Sequence, residues 1–256
     1  MIDQRAVIDP SAKIADSVSI GPFSVIGANV EIGPDCDIGP HVVINGPTVI
    51  GAGNKIHSFC SIGCDPQDKK YSGEETRLVI GDNNTIFEYV TISRGTAQDR
   101  GVTTVGSDNW VMSYVHIAHD CLVGDHTILA NNVTLAGHVD VGDHAILGGF
   151  TLVHQFCNVG EHSFSQMNSV VSKDVLPFLM IGGHMAKAHG LNSEGLKRRG
   201  YSVESRAALK QAYRLVFRSG LKLDEAKDKL LLLAEEHPEV AIMSEFLAKS
   251  SRGIIR

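Results

Sequence analysis

The sequence predicts a mainly β chain: a parallel β-solenoid over residues 1–191, followed by a small α-helical domain over residues 192–256. Three observations carry this. An aliphatic residue recurs at every sixth position, a glycine commonly follows it, and the periodicity turns helical near residue 193.

The register starts at Ile2 and runs without a miss through Ile8, Ile14, Ile20, Ile26, Ile32, Ile38, Ile44, Ile50, Ile56 and Ile62. It resumes at Ile80, Ile86 and Ile92, shifts phase by one residue, and continues from Val105 through Val111, Ile117, Val123, Leu129, Leu135, Val141, Leu147, Val153 and Val159. A unit of six residues cannot bury its own apolar side, so successive units must stack as a solenoid with three short strands per coil. With about 18 residues per coil, residues 1–175 make roughly ten coils. The glycine after the aliphatic residue, as at Gly21, Gly33, Gly51, Gly81 and Gly106, is expected to supply the backbone freedom of a tight corner. Four residues after the aliphatic position stands a small or β-branched side chain, such as Val18, Ser24, Val30, Thr127 and Ala145. Cys36, Cys60, Cys121 and Cys157 share that inward position, which reads them as small buried hydrophobes rather than redox or metal groups. Cys64 stands outside the pattern.

Two insertions break the repeat, near 64–79 and near 94–104, and loops extruded from a regular scaffold commonly carry function. The repeat fades over 173–191. In the tail, Ser202 is the expected N-cap of a helix that Gly220 terminates, with further helices starting near Leu223 and Pro238.

Composition bounds the function. Hydrophobic residues are 43% of the 256 and charged residues 20%, so the chain can bury a core. No apolar run approaches the ~18–20 residues of a membrane span, and the N-terminus lacks the basic-then-apolar layout of a secretory signal. Five scattered cysteines argue for a reducing compartment. These features predict a cytoplasmic protein without stable membrane insertion. The net charge of −6 divides into +4 over residues 192–256 and −10 over the remainder. An acidic body argues against nucleic acid as partner; the basic tail suits an anionic ligand or an acidic protein.

Seven of the twelve histidines form two sets. His126, His144 and His162 recur at an outward corner of their repeats and read as surface residues. His116, His119, His138 and His154 fall where one coil separates 119, 137 and 155, so they line one strip of the solenoid. Two chemistries fit such a strip. A neutral imidazole can take the proton of an attacking hydroxyl, or three imidazoles can hold zinc, as the γ-class carbonic anhydrases do on a similar solenoid. Spacing does not decide between them.

Longer segments narrow the choice. Gln67-Asp68-x-Lys70-Tyr71, His116-Ile117-Ala118-His119-Asp120-Cys121, Leu129-Ala130-Asn131-Asn132, Leu135-Ala136-Gly137-His138-Val139, Val153-His154-Gln155-Phe156 and Asn192-x-Glu194-Gly195-Leu196-Lys197-Arg198-Arg199-Gly200 occur together. As a set they closely resemble the UDP-N-acetylglucosamine O-acyltransferases of lipid A biosynthesis, within the hexapeptide-repeat acyltransferases. The resemblance spans essentially the whole chain.

The resemblance implies a left-handed parallel β-helix, assembled as a homotrimer with sites between subunits. It implies transfer of an (R)-3-hydroxyacyl chain from acyl carrier protein to the glucosamine 3-hydroxyl of UDP-N-acetylglucosamine, with no metal and no cofactor. His119 is then the general base and Gly137 the backbone oxyanion donor. Asp120 is the orienter of His119, although strand alternation points adjacent residues to opposite faces. His116, His138, His154 and Gln155 are expected to line the site, with Asp68 and Lys70 reaching in from a neighbouring subunit. Asn192, Glu194, Arg198 and Arg199 match nucleotide contacts. Met167 occupies the position where side-chain size sets the depth of the acyl groove, which implies a shorter chain, of about ten carbons. Ser93 and Gly183-His184-Met185-Ala186 depart from the family's usual residues.

Overall fold

The computed structural model describes residues 1–256. Strands of two to five residues wind into a three-sided prism whose faces are sheets of nine, eight and ten strands, parallel but for the last pair of the ten-stranded face. In chain order we number the faces one, two and three. Val7–Ile8 begins face one, Lys13–Ile14 face two and Ser19–Ile20 face three. Each coil crosses all three faces, and every aliphatic of the register from Ile20 to Val159 is buried in a continuous core. Cys36, Cys60, Cys121 and Cys157 are buried as their repeat position requires. Burial pushes the Cys60 and Cys121 thiols up to about 12, so neither is a reactive thiolate at neutral pH.

The pairing register measures the insertions. Uninterrupted coils pair at a spacing of 18, as Leu129 with Leu147. Ile50 pairs with Ile80 and Ile80 with Val105, so these coils carry 12 and 7 extra residues. The first insertion keeps the phase because its length is a multiple of six; the second shifts it by one. Both leave the prism at the same edge, between faces one and two, after the strands Ser61–Cys64 and Thr91–Ser93. Inside the same coils the fully buried Asn54, Asn84 and Asn109 form a polar ladder. Asn54 Oδ1 accepts from the Asn84 backbone, and Asn84 Oδ1 from the Asn109 backbone.

The corners correct one expectation. Of the glycines that follow the aliphatic residue, only Gly63 has a left-handed backbone. The left-handed position lies two residues later and is filled by Asn, Asp, His, Phe or Tyr, for example Asp120 (φ 58°), His138 (φ 64°) and Phe156 (φ 62°). Asn, Asp and His tolerate that conformation comparatively well. The repeat glycine serves close packing instead. A Cβ at Gly33 would stand 2.8 Å from the Gly51 carbonyl carbon one coil on, which leaves no room for a side chain.

Strand Leu179–Gly182 and its antiparallel partner Lys187–Leu191 close face three. Four helices follow: α1 (Ser193–Arg198), α2 (Val203–Phe217), α3 (Leu223–Ala234) and α4 (Pro238–Lys249). Ser202 caps α2 by accepting from the Ser205 N–H, and Pro238 occupies the first turn of α4. The C-terminus returns to the solenoid, where Ile254 bridges to Asp174.

Candidate active site

The edge between faces one and two carries most of the predicted residues. Strand His116–Ile117 leads into it, followed by the corner Ala118–Cys121, and the coils beyond add Gly137 with His138 and then His154 with Gln155. Backbone bonds align these corners: the His138 N–H donates to the His119 carbonyl, and the Phe156 N–H to that of Gly137.

His119 Nδ1 lies 2.9 Å from Asp120 Oδ2. Strand alternation does not separate the two because Asp120 sits in the left-handed corner position. Asp120 is fully buried. Its oxygens accept from the Thr96 N–H at 3.0 Å and from the Thr96 hydroxyl at 2.6 Å, while its own N–H donates to Thr103 Oγ1 at 2.8 Å. A buried carboxylate with this many donors is held in one orientation. The His119 side chain is 14% exposed.

Gly137 packs against that ring. A Cβ there would stand 2.6 Å from His119 Cε1 and 2.8 Å from Nε2, so only glycine lets the ring keep its place. The Gly137 N–H donates to no group of the protein. A buried N–H without a partner beside a positioned imidazole is a donor available to a ligand.

His138 meets His119 edge-on, with ring centroids 5.0 Å apart, and stacks on Phe156 at 4.2 Å. Its Nδ1 lies 2.5 Å from Asp99 Oδ2 in the second insertion. His116 Nδ1 lies 2.7 Å from Thr91 Oγ1. Burial, with His119 nearby, holds the His116 imidazole below its usual range, so it is neutral at pH 7. His154 and Gln155 are exposed on the outer side of the edge. The first insertion places Lys70 in solvent and Asp68 half-buried, with Asp68 Oδ1 accepting from the Lys70 N–H. That loop is tied down by Arg94, which donates to the Gly63 carbonyl, to Asp65 and to the Tyr71 hydroxyl.

The remaining predicted residues lie elsewhere. Asn192 and Arg199 attach to the edge between faces two and three. Asn192 caps α1, accepting from the Gly195 N–H and donating to the His162 carbonyl at 3.0 Å, so its side chain is occupied within the chain. Arg199 donates to the His144 carbonyl at 2.8 Å. Glu194 and Arg198 are exposed on α1. Met167 projects from the third edge, between faces three and one, and is 73% exposed, so it does not fill the core of its own chain. One chain therefore distributes its candidate groups over all three edges.

The histidines expected at the surface divide. His126 is exposed, but His162 is buried against Phe178 and Tyr201, because the chain leading from α1 to α2 folds over that end of the edge. Burial together with Arg199 pushes His162 down to about 4. Ser93 is buried, with its hydroxyl 3.5 Å from Cys64 Sγ.

His119, Asp120 and His138 bring potential metal-ligand atoms within 4.8 Å of one another. The Nδ1 atoms of both imidazoles already face carboxylates, an arrangement that also orients a base. The residues that sequence reasoning missed, Thr91, Thr96, Asp99, Arg100 and Thr103, lie in or beside the second insertion. Its position on the histidine strip was the signal that could have found them.

Residues 174–255 match the model described as UDP N-acetylglucosamine O-acyltransferase, domain 2. Residues 11–46 and 103–137 match the bacterial transferase hexapeptide model. The chain is 57% identical over 255 residues to the acyl-[acyl-carrier-protein]–UDP-N-acetylglucosamine O-acyltransferase of Thiobacillus denitrificans, covering 100% of this chain and 99% of that one. Among solved structures, the UDP-N-acetylglucosamine O-acyltransferase of Moraxella catarrhalis is 50% identical with a TM-score of 0.98, covering 100% and 99% of the two chains. LpxA of Acinetobacter baumannii is 46% identical with a TM-score of 0.98 at the same coverage. The solenoid is the left-handed β-helix of the hexapeptide transferases. With full-length matches at this identity, and with the solenoid, the helical tail and the histidine edge all in place, the chain belongs to the UDP-N-acetylglucosamine O-acyltransferase family.

Proposed function

We propose that the protein is a cytoplasmic homotrimeric acyltransferase catalysing the first step of lipid A biosynthesis. It moves an (R)-3-hydroxyacyl chain from acyl carrier protein to the 3-hydroxyl of UDP-N-acetylglucosamine. The observation that carries the mechanism is the pairing of His119 with buried Asp120 beside the unpartnered Gly137 N–H. When Nδ1 donates to Asp120, the lone pair of His119 stands on Nε2 and can accept the sugar proton. The freed oxygen attacks the thioester carbonyl, forming the C–O bond. The negative charge that develops on the carbonyl oxygen is met by the Gly137 N–H; one such donor contributes ~3–4 kcal/mol. Collapse breaks the C–S bond, and the proton on Nε2 passes to the leaving thiolate. No cofactor beyond the carrier thioester enters this scheme.

The separation of candidate groups onto three edges supports the trimer. Side-by-side packing of solenoids lets one copy's edge meet another's face, so Met167, Asp68, Lys70 and the α1 arginines can serve a site on a neighbour's His119 edge. Arg198 and Arg199 suit a diphosphate through paired guanidinium donors, Arg199 after turning from the His144 carbonyl. Exposed Met167 at the end of such a groove would select a chain of about ten carbons.

The test is a turnover assay of wild type and His119→Ala with UDP-N-acetylglucosamine and a ladder of 3-hydroxyacyl carrier proteins, with chelator present. Transfer by wild type that collapses in the variant while nucleotide binding survives is the expected result. Absence of transfer with every donor refutes the reading. The competing reading is a zinc-dependent hydratase, which the His119, Asp120 and His138 cluster favours. It requires about one zinc per chain and loss of activity to the chelator.

A further inference from the structure

The second insertion is more than a link between coils. It leaves face one after Ser93, crosses the mouth of the histidine edge and rejoins face two at Val102. Along the way it makes three side-chain attachments, one on the coil of Asp120 and two on the next coil. Thr96 gives its N–H and hydroxyl to Asp120. Asp99 Oδ2 stands 2.5 Å from His138 Nδ1. Arg100 grips Asp140 with both terminal nitrogens, at 2.6 and 3.0 Å.

We propose that Asp99 is a positioning residue for His138, held in place by the Arg100–Asp140 pair on one side and the Thr96–Asp120 contact on the other. The imidazole of His138 has few other restraints. Phe156 fixes the plane of its ring by stacking at 4.2 Å, but a stack does not choose between the two ring flips or the two tautomers. Asp120 Oδ2, at 3.9 Å from Nδ1, is beyond hydrogen-bond reach and already occupied. Asp99 is therefore the group that fixes Nδ1 as the protonated atom and presents Nε2 outward. A carboxylate set behind an imidazole in this way determines which nitrogen faces a ligand. The bidentate Arg100–Asp140 pair restricts the backbone that carries Asp99, because a planar fork on a carboxylate tolerates little rotation. The insertion thus orients two imidazoles at once, His119 through Asp120 and His138 directly.

The kinetic consequence rests on the acyltransferase reading; the tautomer does not. The experiment has an arm for each. In the full-length protein, the side-chain nitrogen shifts of His138 are recorded by nitrogen-15 NMR for wild type, Asp99→Ala, Asp99→Asn and Arg100→Gln. Wild type is expected to show a protonated Nδ1. Asp99→Ala is expected to populate the other tautomer, and Asp99→Asn, which keeps an acceptor oxygen, to restore the wild-type pattern. Asp99 is 40% exposed in its side chain, so its removal leaves the core untouched.

In the turnover assay, Asp99→Ala should lower kcat/KM for the UDP-sugar by about tenfold, with partial recovery in Asp99→Asn and a smaller loss in Arg100→Gln. An unchanged His138 tautomer in Asp99→Ala overturns the proposal, as does a tautomer change with kcat and KM both at wild-type values. Absence of transfer by the wild type itself overturns the acyltransferase reading instead, and the NMR arm then decides the positioning role alone.

Discussion

The molecule carries histidines on successive coils of two of its edges, and the two groups behave as different chemical objects. On the edge between faces one and two, each of His119 and His138 has a carboxylate at Nδ1, at 2.9 and 2.5 Å. On the edge between faces two and three, His126, His144 and His162 stack on one another, with centroids 4.8 and 4.7 Å apart. No carboxylate lies within hydrogen-bond distance of those rings; the nearest oxygens stand 3.9 Å from His126 and His162. Burial and the Arg199 guanidinium disfavour protonation of His144 and His162. The repeat spaces the stacked column at 18 residues and sets His119 and His138 at adjacent positions of successive corners. What separates them is the extra chain, since the second insertion delivers Thr96 and Asp99 to one edge while the helical tail delivers Arg199 and Tyr201 to the other. A stacked column is a packing device; in the proposed mechanism the oriented pair is a proton acceptor with a neighbour.

The comparison breaks first at His119. His119→Gln should lower kcat by about 10²–10⁴. His126→Gln on the other column should stay within about twofold, since an exposed residue away from special contacts rarely matters. Comparable losses in the two variants would erase the distinction. Gly137→Ala comes next, with about 10²–10³ lost from kcat, because the new methyl displaces the His119 ring as well as crowding the proposed oxyanion donor. An alanine variant with normal turnover would remove Gly137 from the mechanism.

The stacked column is tested by pH. His162 titrates near 4 in the folded chain against an ordinary 6.5. Between those values the unfolded chain binds a proton that the folded chain does not, so this contribution is intact above pH 6.5 and is lost as pH falls toward 4. The full loss is about 3 kcal/mol. Melting temperature followed over that range should fall for wild type and fall less steeply for His162→Phe, which keeps the stack without the titration. Identical slopes would mean that His162 does not titrate in isolation from its neighbours. The smallest effect sharpens the role of the third edge. Met167→Gly should move the preferred acyl chain upward by a few carbons while changing the best rate only several-fold; an unmoved preference would take Met167 out of the groove.

Much of this is legible in the sequence. The aliphatic register identifies the solenoid because each six-residue unit repeats the same burial problem, and an 18-residue step places His119, Gly137 and Gln155 on successive coils of one edge. The four interior cysteines and the starts of α2, α3 and α4 follow from equally local rules. The repeat glycine did not, because the left-handed corner belongs to the Asp120 and His138 positions and the glycine answers to a neighbouring coil. His162 likewise reads as surface within its own repeat and is buried by a segment about forty residues further along the chain.

The sequence by itself determined the repeat, the coil period, the edge on which the histidines stand, and the family, since each of these is written in residues at short or fixed spacings. Only the tertiary structure decided which imidazole has a partner. The contacts from Asp99 to His138 and from Thr96 to Asp120 span 39 and 24 residues, with no periodicity to announce them. They arise from the path of an irregular loop, which Arg100 ties to Asp140. The separation of Met167, Arg199 and His119 onto three edges is a tertiary fact of the same kind. A coil with three corners sends residues at different points of its period in different directions, whatever their chemistry.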